Sequence, residues 1–320
     1  MHVSSGRWLQ GFALALLTAF LWGILPVKIK QVLQAMDPVT VTWCRLTVAG
    51  SLLLAYLAAS RRLPSFASLG RNGRWLLVLA VAGLVSNYVL YLMGLNLLTP
   101  GTTQLVLQVA PVLLLLGSLL VFRESFSPAQ GLGLLVLLVG FALFFNERLA
   151  ELFSSLTRYT TGVLTVLAAA TCWVFYGLAQ KQLLSRWNSL QVMMVIYLAC
   201  AALLTPWAEP LQVLALSPVQ GWLLLACCLN TLVGYGAFAE ALAHWEASKV
   251  SATVAVTPLF TFVAVAVAAW CWPDYVQGEE LGWVGYLGAC LVVGGSVLTA
   301  LGPSLLASWR RRLGRGAVRQ

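Results

Sequence analysis

The side chains able to do chemistry in this chain are few, and most of them sit inside long apolar runs. Arg45 lies roughly two helical turns inside the run that starts at Val39, so in hydrocarbon it must snorkel, pair or face water. A structural or gating role suits it better than direct contact with a ligand. Glu240 is the one acid within an apolar run, and His244 follows four residues later, on the same helix face. The pair falls near the end of its run, where an interfacial ion pair suits it better than proton coupling. Lys28, just past Pro26, has a carboxylate to meet or a stem to snorkel, and snorkelling is the simpler reading.

Around these charges stand aromatic and amide groups. Trp22, Tyr88, Tyr91, Trp173, Tyr176 and Tyr235 suit a site for an apolar or aromatic metabolite, and their faces would hold an amine by cation–π contact. Packing and an interfacial belt are the competing readings. Gln104 and Gln108 are four apart and share a helix face, as do Thr253 and Thr257, just before Pro258. With Asn87, Asn230 and Thr231, these groups are costly against lipid, so they face either a cavity or another helix. Gly23 and Pro26 are expected to interrupt the first run, with Gly177 in the equivalent place of the second half, as hinge positions. No carboxylate occurs at mid-depth of any run. That weakens a proton-driven exporter of lipophilic cations, in which proton and cation compete for one acid. The cysteines show no paired spacing and there are two histidines, so no metal, cofactor or disulfide framework is expected.

The elements that must position these groups are the apolar runs themselves. Hydrophobic residues make up 60% of the 320 residues and charged ones 9%, against roughly 45–50% and 25% in soluble domains. So few charges could not cover so much apolar surface in water, whereas helices in lipid satisfy their own backbone groups. Ten spans are expected: Leu9–Val27, Val39–Ser60, Trp75–Leu98, Thr102–Phe122, Gln130–Phe145, Thr161–Ala179, Leu190–Trp207, Val219–Ala243, Val250–Trp272 and Leu281–Leu301. Most approach the ~20 residues that cross a bilayer. The net charge of +9 is distributed for a membrane and not for nucleic acid. With both ends cytoplasmic, fourteen basic residues fall on the inner side and four on the outer, with Arg45 inside a span. The first run is too long for a leader's apolar core and lacks a clear cleavage site, so it counts as a retained helix. The basic tail, residues 303–320, suits an anionic lipid surface.

The spans fall into two halves that resemble each other. At a separation of 151, Gly11 matches Gly162, Ala19 matches Ala170, Trp22 matches Trp173, and Lys30-Gln31 matches Lys181-Gln182. At a separation of 147, Tyr88 matches Tyr235, Leu95 matches Leu242 and Pro111 matches Pro258. Five spans is an odd number, so the second half, residues 160–302, would cross with the opposite orientation to the first, residues 8–146. The fold class expected is therefore an all-α polytopic membrane protein of ten helices in two inverted five-helix repeats.

Ala19-x-x-Trp22-Gly23, Asp37-Pro38, Arg45, and Pro111 with Phe122-Arg123-Glu124 resemble the drug/metabolite transporter superfamily, specifically ten-helix exporters with two EamA-type repeats. The segment after Pro258 departs from the pattern, ending Trp270-Cys271-Trp272-Pro273-Asp274. The resemblance implies a central cavity among spans 1, 3, 4, 6, 8 and 9, lids at 2 and 7, and supports at 5 and 10. It further implies a secondary transporter in the cytoplasmic (inner) membrane rather than an enzyme. Its cargo would be small metabolites, foremost amino acids or related zwitterionic or aromatic compounds, moved outward by alternating access. Substrate candidates are Trp22, Tyr88, Tyr91, Gln104, Gln108, Trp173, Tyr176, Asn230, Tyr235 and Thr257. Hinge or gating candidates are Gly23, Pro26, Arg45, Pro111, Gly177 and Pro258, and coupling candidates are Glu240 and His244. The partners expected are a small-molecule substrate and the bilayer, with no nucleic acid; a monomer and a homodimer are both open. The alternatives are a proton-coupled exporter of amines or drugs and a membrane enzyme acting on lipid-linked substrates.

Overall fold

The computed structural model describes residues 7–110, 112–113, 127–147, 152, 156–245, 247–273, 276, 278–279 and 281–317. Among them regular structure is helical throughout. The helices are α1 (Trp8–Val32), α2 (Pro38–Ala59), α3 (Gly70–Leu97), α4 (Pro100–Val106), α5 (Pro128–Phe144), α6 (Arg158–Leu183), α7 (Ser189–Leu204), α8 (Pro218–His244), α9 (Ala247–Val254), α10 (Thr257–Cys271) and α11 (Trp283–Ala317). Eight stretches of helix among the described residues are long and apolar enough to cross a membrane, with α9 and α10 together forming one of them, and α5 is a shorter apolar helix. The protein is an all-α polytopic membrane protein. Of the expected fourth span, residues 111 and 114–122 lie outside those described.

Helix starts follow local chemistry. Five caps, Asp37, Thr99, Ser127, Asn188 and Ser217, place a short polar side chain just before a proline or serine, where its oxygen takes backbone N–H groups that have no partner inside the helix. The Val39 and Thr40 N–H groups donate to Asp37 at 2.8 and 3.0 Å. Asn188, Ser127 and Ser217 each form a reciprocal box with the glutamine three residues on. α11 runs through Pro303 to Ala317, so the basic segment expected as a separate tail continues the last helix.

Packing pairs the helices across the two halves. α1 lies on α8, α3 on α6, α2 on α7 and α5 on α11, while α10 packs on both α1 and α4. The α5–α11 pair shows how near two backbones come. A Cβ on Gly288 would fall 2.3 Å from the Phe144 nitrogen, and one on Gly295 2.5 Å from that of Leu137. Small residues permit this approach, in which van der Waals contact drives association. The exterior is apolar: Leu135, Leu138, Trp270 and Trp283 are all exposed, as lipid requires. Buried apolar residues cluster between α2, α3, α6 and α7 around Leu46, Leu84 and Ile196, and between α1, α2, α3 and α8 around Ile29 and Cys227.

Candidate functional site

A cavity of about 200 Å³ lies among the helices. α1 contributes Trp22 and Leu25, α2 Arg45, and α3 Asn87, Tyr88 and Tyr91. Gln104 comes from α4, and Leu107, Gln108 and Ala110 from the residues just after it. The other side is Trp173 of α6, Tyr235 of α8, Val254 of α9, and Thr257 and Pro258 of α10.

Two helix breaks shape this space. α4 ends at Val106 and turns at Leu107 and Gln108; α9 ends at Val254 and turns at Ala255 and Val256 before α10 begins. The turns sit 148 residues apart, within one residue of the separation that relates Pro111 to Pro258. Proline has no N–H, so Pro258 leaves the Val254 carbonyl without its helical donor, and the Thr257 hydroxyl donates to it instead. The Gln108 side-chain amide donates to the Ala255 carbonyl across the cavity floor. A side chain in one break thus satisfies a backbone group freed by the other.

α1 crosses the same space without a break. Pro26 removes the donor for the Trp22 carbonyl, and Gln104 Nε2 stands 3.5 Å from that oxygen. The flanking carbonyls are also claimed from outside the helix: Leu21 accepts from Asn230 Nδ2 at 2.7 Å, and Gly23 from Thr261 Oγ1 at 2.9 Å. Gly23 itself marks a close crossing, since a Cβ there would meet the Phe260 Cβ at 2.5 Å. Trp22 leans on Tyr235 with ring centroids 5.1 Å apart. Arg45 donates from Nε to Thr231 Oγ1 at 3.1 Å, and its guanidinium carbon lies 4.9 Å from the centre of the Tyr88 ring.

The model of the EamA-like transporter family matches this chain twice, over residues 9–146 and 160–301. The chain belongs to that family. It is 43% identical to the "uncharacterized inner membrane transporter YhbE" of Escherichia coli K12, over 94% of each chain. It is 40% identical to an "uncharacterized transporter" of Haemophilus influenzae, over 93% of this chain and 97% of that one. A solved crystal structure superposes with a TM-score of 0.63 at 21% identity, covering 97% of this chain and 99% of the other, which speaks to the fold alone. The protein is an EamA-family membrane transporter.

Of the substrate candidates in this EamA protein, Trp22, Tyr88, Tyr91, Gln104, Gln108, Trp173, Tyr235 and Thr257 line the same cavity, together with Arg45 and Pro258. Two do not. Tyr176 is buried behind the wall, its hydroxyl donating to Met193 Sδ at 3.2 Å. Asn230 is buried as the brace on Leu21. Gly23, Pro26 and Gly177 do not interrupt their helices: α1 and α6 pass through them. At Pro26 the Gln104 amide stands near the one carbonyl left without a helical donor, and Asn230 and Thr261 brace the carbonyls on either side. The breaks fall after α4 and α9 instead. Pro111 lies outside the described residues. Glu240 and His244 form an i,i+4 pair at 3.1 Å, with the Glu240 side chain 61% exposed, away from the cavity wall.

Sequence reasoning missed a polar latch. Glu279, in the loop before α11, accepts from Thr99 Oγ1 and from the Gly101 N–H, each at 2.6 Å. Burial pushes its carboxyl up from the ordinary value, while those donors and the charge of Lys30 act the other way. Lys30 in turn donates to the Leu95, Asn96 and Leu98 carbonyls at 2.6, 3.0 and 2.7 Å, closing the end of α3. The one hint in the sequence was the match of Lys30-Gln31 with Lys181-Gln182; nothing local pointed from Glu279 to Thr99.

Proposed function

We propose that this EamA protein carries small metabolites, foremost amino acids or related zwitterionic or aromatic compounds, outward across the inner membrane by alternating access. Its two halves are inverted five-helix repeats of a ten-helix fold, with both termini cytoplasmic. The observation that carries the reading is the shared cavity: Trp22 with Trp173 and Tyr88 with Tyr235, matched positions of the two halves, line one space beside breaks that match to within one residue. Discontinuous helices at the meeting of two repeats are where transporters bind their cargo. Exchange of partners between the halves supports the inversion, since α1 on α8 and α3 on α6 are the same contact seen from each half. The excess of basic residues on one side supports the orientation, and the name of the Escherichia coli relative supports the inner membrane.

The lining speaks against a proton-coupled amine exporter, because no carboxylate is among the described residues of the cavity wall. A lipid-active enzyme would need its acid and histidine at a shaped site, and Glu240 with His244 lies on an exposed helix end. The test is flux in proteoliposomes holding the purified protein. Saturable movement of labelled phenylalanine or leucine, competed by unlabelled compound and lost in Trp22→Ala, is the expected result. Absence of flux for every amino acid and aromatic metabolite tried would overturn the proposal.

A further inference from the structure

The cavity wall carries one charge among its described residues, and it is positive. Arg45 is 3% exposed. Its Nε is committed to Thr231, and one guanidinium face lies over Tyr88. Its two Nη groups have no acceptor among the described residues, and no described carboxylate forms an ion pair with it. Lys28 stands within electrostatic range and adds charge of the same sign.

A buried cation without a counter-charge is expensive, and an arriving anion removes that expense. The free edge of a guanidinium presents parallel N–H donors that match the two oxygens of a carboxylate. The Thr231 hydrogen bond and the neighbouring Tyr88 ring restrict the fork, so less freedom is lost when a ligand binds. Nothing on the described wall complements an ammonium group as strongly. The amide nitrogens of Gln104 and Gln108 already point to backbone carbonyls, leaving an ammonium aromatic faces and neutral amide and hydroxyl oxygens.

We infer that the recognised charge on the cargo is an anion: a carboxylate held by Arg45, with an apolar or aromatic body against Trp22, Trp173 and Tyr235, and with no requirement for an amine. The substrate class is small organic monocarboxylates, of which amino acids are one case. This rests on the cavity being the transport site. If Arg45 served only to tie α2 to α8 through Thr231, the charge of the ligand would be indifferent to the protein.

The test uses the wild-type protein and three compounds of nearly one shape. 3-Phenylpropionate carries the acid alone, phenylalanine both groups, and 2-phenylethylamine the amine alone; 4-methylpentanoate, leucine and isopentylamine repeat the series with an aliphatic body. Binding is followed by quenching of tryptophan fluorescence and by thermal shift, and flux by counterflow. In at least one series the acid should bind at least as tightly as the zwitterion, and the amine roughly tenfold or more weaker, as expected for a charge-assisted hydrogen-bonded pair. Arg45→Gln should remove that discrimination and Arg45→Lys restore part of it, but the wild-type comparison stands even where a variant fails to fold. An amine that binds as tightly as its acid overturns the inference and leaves the transport site standing. Silence of both series, with no flux, overturns the transport site and this inference together.

Discussion

The two halves of the molecule use one backbone plan and put different chemistry on it. α2 and α7 start 151 residues apart behind a polar cap, Asp37 in one and Asn188 in the other. Yet Arg45 of the first half has Ile196 at its equivalent place in the second. At a separation of 147 the turns after α4 and α9 match to within one residue, but Gln108 corresponds to Ala255, Asn87 to Gly234 and Tyr91 to Phe238. The first half supplies the cation and the amides of the cavity; the second supplies Trp173, Tyr235 and the Ala255 carbonyl that Gln108 reaches. The doubled unit thus lines the cavity with two unlike sides, one with a cation and amides and one without.

Exchanging equivalent residues breaks this comparison most directly. Ile196 is fully buried among apolar side chains, so Ile196→Arg, which copies the first half into the second, should cost several kcal/mol for an unpaired buried charge. The expected outcome is loss of the monodisperse peak in detergent chromatography; a folded, active Ile196→Arg protein would mean the halves are interchangeable.

Gln108→Ala copies the second half into the first. It removes the donor to the Ala255 carbonyl and should lower stability by about 1–2 kcal/mol, the upper range for polar contacts between membrane helices. Flux should fall as well, because the two breaks lose their link. Thermal unfolding and counterflow measured together check both parts; an unchanged melting temperature would show that the amide contributes nothing there.

Thr261→Val keeps the shape and deletes the hydroxyl that reaches the Gly23 carbonyl. About 0.6 kcal/mol is the typical cost, and flux should be nearly preserved if α1 needs that contact only as a brace. The smallest effect belongs to Glu279, outside the spans. Its raised carboxyl binds a proton more readily folded than unfolded, so stability falls as pH rises through the window just above the ordinary value of 4.5. The slope should be absent in Glu279→Gln; a melting temperature that rises with pH in that window would reverse the sign argued here.

Some of this was legible in the sequence and some was not. The paired Trp22 and Trp173, the paired Tyr88 and Tyr235, and the facing amides Gln104 and Gln108 marked the wall, because few aromatic and polar groups in so apolar a chain share a repeat position. The helix breaks were misjudged. Gly23, Pro26 and Gly177 read as interruptions, yet α1 and α6 run through them, with Gln104 near the Trp22 oxygen and with Asn230 and Thr261 bracing its neighbours. Tyr176 was misplaced for a related reason. It is three residues from Trp173, and which of two neighbouring aromatics turns inward depends on α3 and α7 packing against α6, not on spacing.

By itself the sequence determined that this chain lives in lipid, crosses it many times and was built from a doubled unit. Those are properties of hydropathy, length and repetition, which need no partner to be expressed. Tertiary structure alone decided where the backbone opens, which amide closes which carbonyl, and that Arg45 meets Thr231 and Tyr88 but no described acid. Such pairings join residues from tens to more than two hundred positions apart, and their existence depends on helices coming close enough for a hydrogen bond, a distance that no local pattern encodes.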